Sequence, residues 1–268
     1  LTETAKPVPD KNEILVKIHA TAVTASDCIA RSFNIPYKHW FPKGMFLEFL
    51  MGLVLGFGKP RNPIMGMVLA GEMESTRKNV RRFKKGDQVF GWTLNSGFSL
   101  QLGTYAEYKC LPQKSVLAIK PANIDFKEAA AIPYGGLIGL HYIRKGKIQP
   151  GQKVLIYGSS GAIGTAAVQI AKHLGAHVTG ICSTTNLELV RSLGADKVID
   201  YTAGNAKDEL DTYDFVLDAV GKRKHSELKQ HCKSALKPKG ISISVDDGAP
   251  KSDNTGLAFL KQLIEKGE

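Results

Sequence analysis

One segment leaves this chain few folds to choose from: Lys153-Val154-Leu155-Ile156-Tyr157-Gly158-Ser159-Ser160-Gly161-Ala162-Ile163-Gly164. Val154 to Tyr157 run apolar without alternation, as a strand buried on both faces does. Gly158, Gly161 and Gly164 follow at regular spacing. Ile163, Ala166, Ala167, Ile170, Ala171 and Leu174 then mark one face of a helix, and Gly175 is placed to end it. A buried strand, a tight glycine turn and a helix N-terminus make a phosphate site. The turn lets backbone approach a pyrophosphate, and the helix start supplies N–H groups and partial positive charge. In the usual G-x-G-x-x-G fingerprint the first glycine would stand at Ser159; here Gly158 lies just before it. A glycine triplet alone is a weak sign, but between such a strand and such a helix it predicts dinucleotide binding.

The rest of the chain fits around that unit. From about Asn123, helical and strand patterns alternate. A helix is expected over Asp125 to Lys145, kinked at Pro133. Strands are expected at His177–Ser183, Lys197–Tyr201, Tyr213–Gly221 and Gly240–Val245, with helices near Asn186–Leu193 and Ser226–Leu236. This alternation predicts βαβ units and a parallel sheet. Residues 1–122 read as β-rich, with strands at Glu13–Ala20, Ile64–Ala70, Gln88–Gly91 and Gly103–Tyr108. The tyrosines of that last stretch read as a sheet face packed on the core.

Composition narrows the class. Across 268 residues, 43% hydrophobic and 23% charged content is that of a globular chain. The four cysteines, Cys28, Cys110, Cys182 and Cys232, are far apart. That spacing argues against a disulfide scaffold or cysteine zinc cluster and suits a cytoplasmic setting. No secretory signal is visible, and the opening suggests a missing N-terminal piece. The net charge of +11 favours anionic partners. Its densest run, Arg77 to Lys85, lacks aromatic interleaving and reads as a solvated loop, so no specific nucleic-acid partner is expected. The apolar stretch 44–58 is too short to span a bilayer and contains Glu48. A pocket-lining helix, an interfacial membrane segment and a dimer contact stay open for it.

The end of the second Rossmann strand bears on the cofactor. An NAD-preferring site usually carries an acid there to accept from the ribose 2′-OH. This chain has Cys182-Ser183-Thr184-Thr185-Asn186, with hydroxyl donors suited to a 2′-phosphate and Arg191 one helical segment on. The expected cofactor is therefore NADP(H). Ser183 and Thr184 could also simply cap the next helix.

Several motifs in order carry a family resemblance. They are Thr24-Ala25-Ser26-Asp27, Gly66-Met67-Val68-Leu69-Ala70-Gly71, Lys85-Gly86-Asp87-Gln88-Val89, Gly103-Thr104-Tyr105-Ala106-Glu107-Tyr108, Ala130-Ala131-Ile132-Pro133, the glycine turn, and Leu193 to Tyr201. The chain resembles the medium-chain dehydrogenase/reductase superfamily, in its zinc-independent quinone oxidoreductase and enone reductase branch. The resemblance implies an α/β chain with a GroES-like β domain (1–122) and a Rossmann domain with a doubly wound parallel sheet (123–268), with the active site in the cleft between them. It also implies that the first strand of the β domain and a C-terminal return segment are absent. A homodimer is the common state of relatives.

Zinc-dependent relatives carry Cys where Thr24 stands and His-Glu where Met67 and Val68 stand. None of these three is a good zinc ligand, so no metal is expected. Without a Lewis acid, alcohol oxidation recedes, and quinones or α,β-unsaturated carbonyls remain as small-molecule substrates. Catalytic candidates are Thr24 and Asp27, placed near the nicotinamide by the resemblance, and Tyr37 and Tyr134 as proton donors. For the tyrosines, plain packing stays open; for Asp27, a structural carboxylate does. Ile138 replaces a threonine that in many relatives touches the nicotinamide. Candidate cofactor contacts are Gly158, Ser160, Gly161, Ala162, Ile163 and Gly164 at the turn. Ser183, Thr184, Tyr201, Ala219 and Val220 join them at later strand ends. Two functions remain: an NADPH-dependent quinone or enone reductase, and a non-catalytic NADPH-binding sensor or nucleic-acid-binding protein.

Overall fold

The computed structural model describes residues 3–32, 63–93, 101–223 and 226–268. Tyr37 and the 44–58 stretch lie outside the described residues. By contacts the chain divides into two units, 1–134 with 252–267, and 135–251 with Glu268. The sequence reading divides it at 122/123 and assigns everything after that to one domain.

The first unit contains a five-stranded antiparallel sheet in the order β4-β1-β2-β3-β5. Its strands are β1 (Glu13–Ala20), β2 (Val68–Thr76), β3 (Gln88–Trp92), β4 (Tyr108–Pro112) and β5 (Val116–Ile119). Ile14, Val16, Leu69, Met73, Val89, Leu111 and Leu117 form its core, joined by Phe83. Helix α1 (Ala25–Ser32) follows β1. Gly91 is required on β3, because a Cβ there would lie 2.1 Å from the Val116 carbonyl oxygen of β5.

Three expectations change in this unit. The strand expected at Ile64–Ala70 begins only at Val68 and runs on to Thr76. Gly103 to Glu107 do not form a strand, and β4 begins only at Tyr108. Gly103 sits at φ 129°, and the N–H groups of Gly103 and Tyr105 donate to the carbonyls of Gly66 and Met65. Those local bonds fold the segment onto the approach to β2. The basic run is also not all solvated loop. The Arg82 guanidinium donates to the carbonyls of Gln113, Ser115 and Leu117 and to Asn254 Oδ1, and burial lowers its pKa.

Helix α2 (Phe126–Lys145) contains the unit boundary and has Pro133 inside it. Its start is a reciprocal box: Asp125 N–H donates to Glu128 Oε2 and Glu128 N–H to Asp125 Oδ1, both at 2.8 Å.

The second unit is a parallel sheet in the order β10-β9-β6-β7-β8. Its strands are β6 (Lys153–Tyr157), β7 (His177–Cys182), β8 (Lys197–Asp200), β9 (Tyr213–Asp218) and β10 (Leu236–Ser244). Helices α3 (Ala162–His173), α4 (Leu187–Ser192) and α5 (Glu227–Ser234) connect them. Val154, Leu155, Ile156, Val178, Ile181, Phe215, Val216 and Leu217 are almost wholly buried, as the unbroken apolar runs predict for central strands. The last helix, α6 (Asn254–Lys266), belongs to the first unit. Its N-cap Asp253 accepts from Gly256 N–H, and Asn254 Oδ1 accepts from Leu117 N–H of β5. Among the described residues no helix is long and apolar enough to cross a membrane.

Candidate functional site

The glycine turn joins β6 to α3 at the C-terminal edge of the parallel sheet, where open α/β sheets bind ligands. Three donors fasten it to β7: the N–H groups of Gly158 and Ser159 and the buried Ser159 hydroxyl all reach the Ile181 carbonyl at 3.0 Å. Gly158 adopts φ 82°, and a Cβ on it would lie 2.4 Å from Val220 Cγ2. At Gly164 a Cβ would lie 2.1 Å from the Gly158 carbonyl oxygen, so only glycine permits this approach of helix to strand. A Cβ on Gly161 would meet only the Gly158 carbonyl oxygen, 3.5 Å away, so that side of the turn is open. Gly161 is the N-cap of α3, makes no side-chain cap and is followed by no acid in the first turn. The first N–H groups of the helix, from Ala162 and Ile163, have no carbonyl of their own helix to bond. They suit the charge and size of a dinucleotide pyrophosphate.

The turn is braced from α2. A Cβ on Gly135 would lie 2.1 Å from the Ala162 carbonyl oxygen, and one on Gly139 3.2 Å from that of Ile163. The same helix buries Ile138.

Other candidates of this unit sit at neighbouring strand ends. Ser183 and Thr184 follow β7, Tyr201 follows β8, and Ala219 and Val220 follow β9. Ser183 occupies the N-cap position of a short 3-10 turn, Thr184–Asn186, without capping it by its side chain. Its hydroxyl accepts instead from Asn186 Nδ2 at 2.9 Å. Arg191 is ion-paired with Glu188 on α4 and is not an unengaged base. Tyr201 is exposed.

Two carboxylates at these strand ends escaped the sequence reading. Asp200, the last residue of β8, accepts from the hydroxyls of Thr184 and Thr202, and these bonds lower its pKa. Asp218, the last residue of β9, is buried. Its Oδ1 accepts from the N–H groups of Val220 and Gly221, and its Oδ2 from Ser244 and from Lys229 Nζ at 2.5 Å. The available signal was the carboxylate itself: a charge ending an apolar buried strand needs partners.

In the first unit, Thr24 and Asp27 form the N-terminal box of α1. Thr24 N–H and Oγ1–H both donate to Asp27 Oδ2, at 2.8 and 2.6 Å. Asp27 Oδ1 is buried and without a hydrogen-bond partner. Tyr105 stands beside this carboxylate; burial first, then the Asp27 charge, push its pKa up to about 12. Tyr134 OH lies 2.9 Å from Ser26 Oγ, and its ring meets Trp92 edge-on. Met67 is buried, and Val68 is wholly buried at the start of β2. Among the described residues no cluster of His, Cys, Asp and Glu could hold a metal ion.

The profile described as alcohol dehydrogenase GroES-like domain matches residues 10–121, and that described as zinc-binding dehydrogenase matches 162–262. The chain belongs to the medium-chain dehydrogenase/reductase family. Members of this family bind nicotinamide cofactors. The chain is 32% identical over 220 residues to the 2-methylene-furan-3-one reductase of Solanum lycopersicum, covering 80% of this chain and 52% of that protein. It is 31% identical over 219 residues to the chloroplastic NADPH-dependent alkenal/one oxidoreductase of Arabidopsis thaliana, with the same coverage of each. The chain thus spans about half the length of the curated relatives it matches. The solved quinone oxidoreductase from Coxiella burnetii shares the fold, with a TM-score of 0.80 over 98% of this chain and 82% of that one at 24% identity.

Proposed function

We propose that the chain is an NADPH-dependent, zinc-independent oxidoreductase that delivers a hydride to a quinone or an α,β-unsaturated carbonyl. The observation that carries this reading is the cradle at Gly158–Gly164, open at Gly161 and closed to any side chain at Gly164. The bound nicotinamide would supply the hydride, and the chain's own groups bind and orient it. Ala162 and Ile163 N–H hold the pyrophosphate, Ser160 lines the turn, and Val220 packs over Gly158. Ser183, whose oxygen accepts from Asn186 Nδ2, would turn its hydroxyl proton from Thr185 Oγ1 to the 2′-phosphate. Ala219 and Tyr201 flank the dinucleotide at the strand ends.

Thr24, Met67 and Val68 stand where zinc-dependent relatives hold ligands, which favours a substrate activated by its own conjugation. The activities for which the two plant relatives are named, 2-methylene-furan-3-one reductase and alkenal/one oxidoreductase, support this substrate class. Tyr134, hydrogen-bonded to Ser26, is the described candidate to protonate the enolate that hydride addition leaves.

Purified protein should consume NADPH in the presence of simple quinones or enones, followed by loss of NADPH absorbance. Absence of turnover across a broad panel, with NADPH binding intact, would leave a non-catalytic binding protein instead.

A further inference from the structure

The groups beyond β7 and β8 form a hydrogen-bond cluster that is short of protons. Asp200 Oδ2 accepts the Thr184 hydroxyl at 2.5 Å. Asp200 Oδ1 accepts the Thr202 hydroxyl at 2.6 Å and the Thr202 N–H at 2.9 Å. The two threonine oxygens lie only 2.8 Å apart. Each hydroxyl owns one proton, and an ionised carboxylate owns none. With both protons turned to Asp200, none remains for the contact between the two oxygens. The cluster therefore presents lone pairs and a negative charge rather than donors. Thr184 and Thr202 are both exposed, so an incoming ligand meets this surface directly. Ser183, one residue before Thr184, is outside this cluster: its oxygen accepts from Asn186 Nδ2 at 2.9 Å and lies 3.2 Å from Thr185 Oγ1, not against Asp200.

A 2′-phosphate needs donors and is repelled by a carboxylate, whereas a ribose 2′-OH is itself a donor to one. We infer that Asp200 is a specificity-determining residue that restrains the preference of this site for a 2′-phosphorylated dinucleotide, by holding the Thr184 and Thr202 protons and by its own charge. The inference rests on reading the Ser183–Thr184 corner as the place of the adenosine ribose. It reverses the apparent lesson of the sequence, in which no acid stands at the end of the second strand: the acid is supplied from the end of the third.

The test measures dissociation constants of NADPH and NADH by fluorescence titration, for the wild type and for Asp200→Asn and Asp200→Ser. Both substitutions remove the charge while keeping a hydrogen-bonding side chain. The ratio of NADH to NADPH dissociation constants should rise about tenfold at low salt in each, chiefly through tighter NADPH binding. A purely structural role would weaken both dinucleotides in proportion and leave the ratio unchanged. An unchanged ratio, with or without weaker binding, would overturn the inference. A wild type that favours NADH, with variants that shift toward NADPH, would sustain the role of Asp200 and remove the NADPH preference proposed above. A wild type that binds neither dinucleotide would overturn both.

Discussion

At the scale of single residues, Tyr105 is the clearest case of chemistry placed by a turn rather than a strand. Gly66 and Gly103 both take positive φ, and Tyr105 packs so closely on Gly66 that a Cβ there would lie 2.6 Å from its ring. The phenol is thereby set beside buried Asp27, and its pKa rises to about 12. A raised phenol pKa means that the folded state holds the proton more tightly than the unfolded chain. The stability this contributes is intact below the ordinary tyrosine value of about 10 and is lost as pH rises through about 12. Phenolate difference absorbance should therefore show one tyrosine, identified by its loss in Tyr105→Phe, ionising well above the others. Asp27→Asn should lower that ionisation in part only, because burial is the larger cause and the Asp27 charge the second. Ionisation of Tyr105 at the ordinary value in the native protein would refute the placement. The sequence could not reveal this pair, because Tyr105 is brought to Asp27 only when the 103–105 loop bonds to Gly66 and Met65.

At the scale of elements, the end of β9 depends on a buried ion pair. Lys229 on α5 reaches both Asp218 and the Gly221 carbonyl, and Asp218 also fixes the loop that carries Val220 over the glycine turn. Asp218→Ala would leave Lys229 largely buried without its counter-charge, at a cost of about 3–5 kcal/mol. Urea unfolding should register that loss, and adding Lys229→Met should recover a substantial part of it. An Asp218→Ala protein as stable as the wild type would show that the pair is not structural.

Elements were legible in proportion to their burial pattern. β6, β7 and β9 declare themselves because their central residues are covered on both faces and run apolar with little alternation. The short β5 carries too little pattern for a strand to be recognised. The 103–107 turn was misread because its tyrosines resemble a strand face. At the candidate site, the glycine turn was readable from its spacing together with the apolar strand before it and the helical pattern after it. Asp200 and Asp218 were not, since their role depends on which strands lie side by side.

At the scale of the whole molecule, charge and chain path matter most. The net charge of +11 should steer a polyanionic dinucleotide toward the protein. Stopped-flow association of NADPH should slow several-fold as ionic strength rises from roughly 0.05 to 0.5 M, and more steeply than that of the less charged NADH. Equal, weak salt dependence for both would show that the basic residues do not act on the approach. Some of them are spent internally, as Arg82 is on the Leu117 carbonyl of β5 and on Asn254 of α6.

The return of α6 to the first unit has a consequence for synthesis. Leu257, Leu260 and Leu263 are buried residues of a unit whose other segment ends at Tyr134, yet they are translated only after the whole parallel sheet. The second unit is, but for Glu268, one continuous stretch, 135–251, that can collapse as it leaves the ribosome. The sheet made first must wait, with the seat for these leucines unfilled, until the last helix emerges. Birth order and completion order are thus reversed.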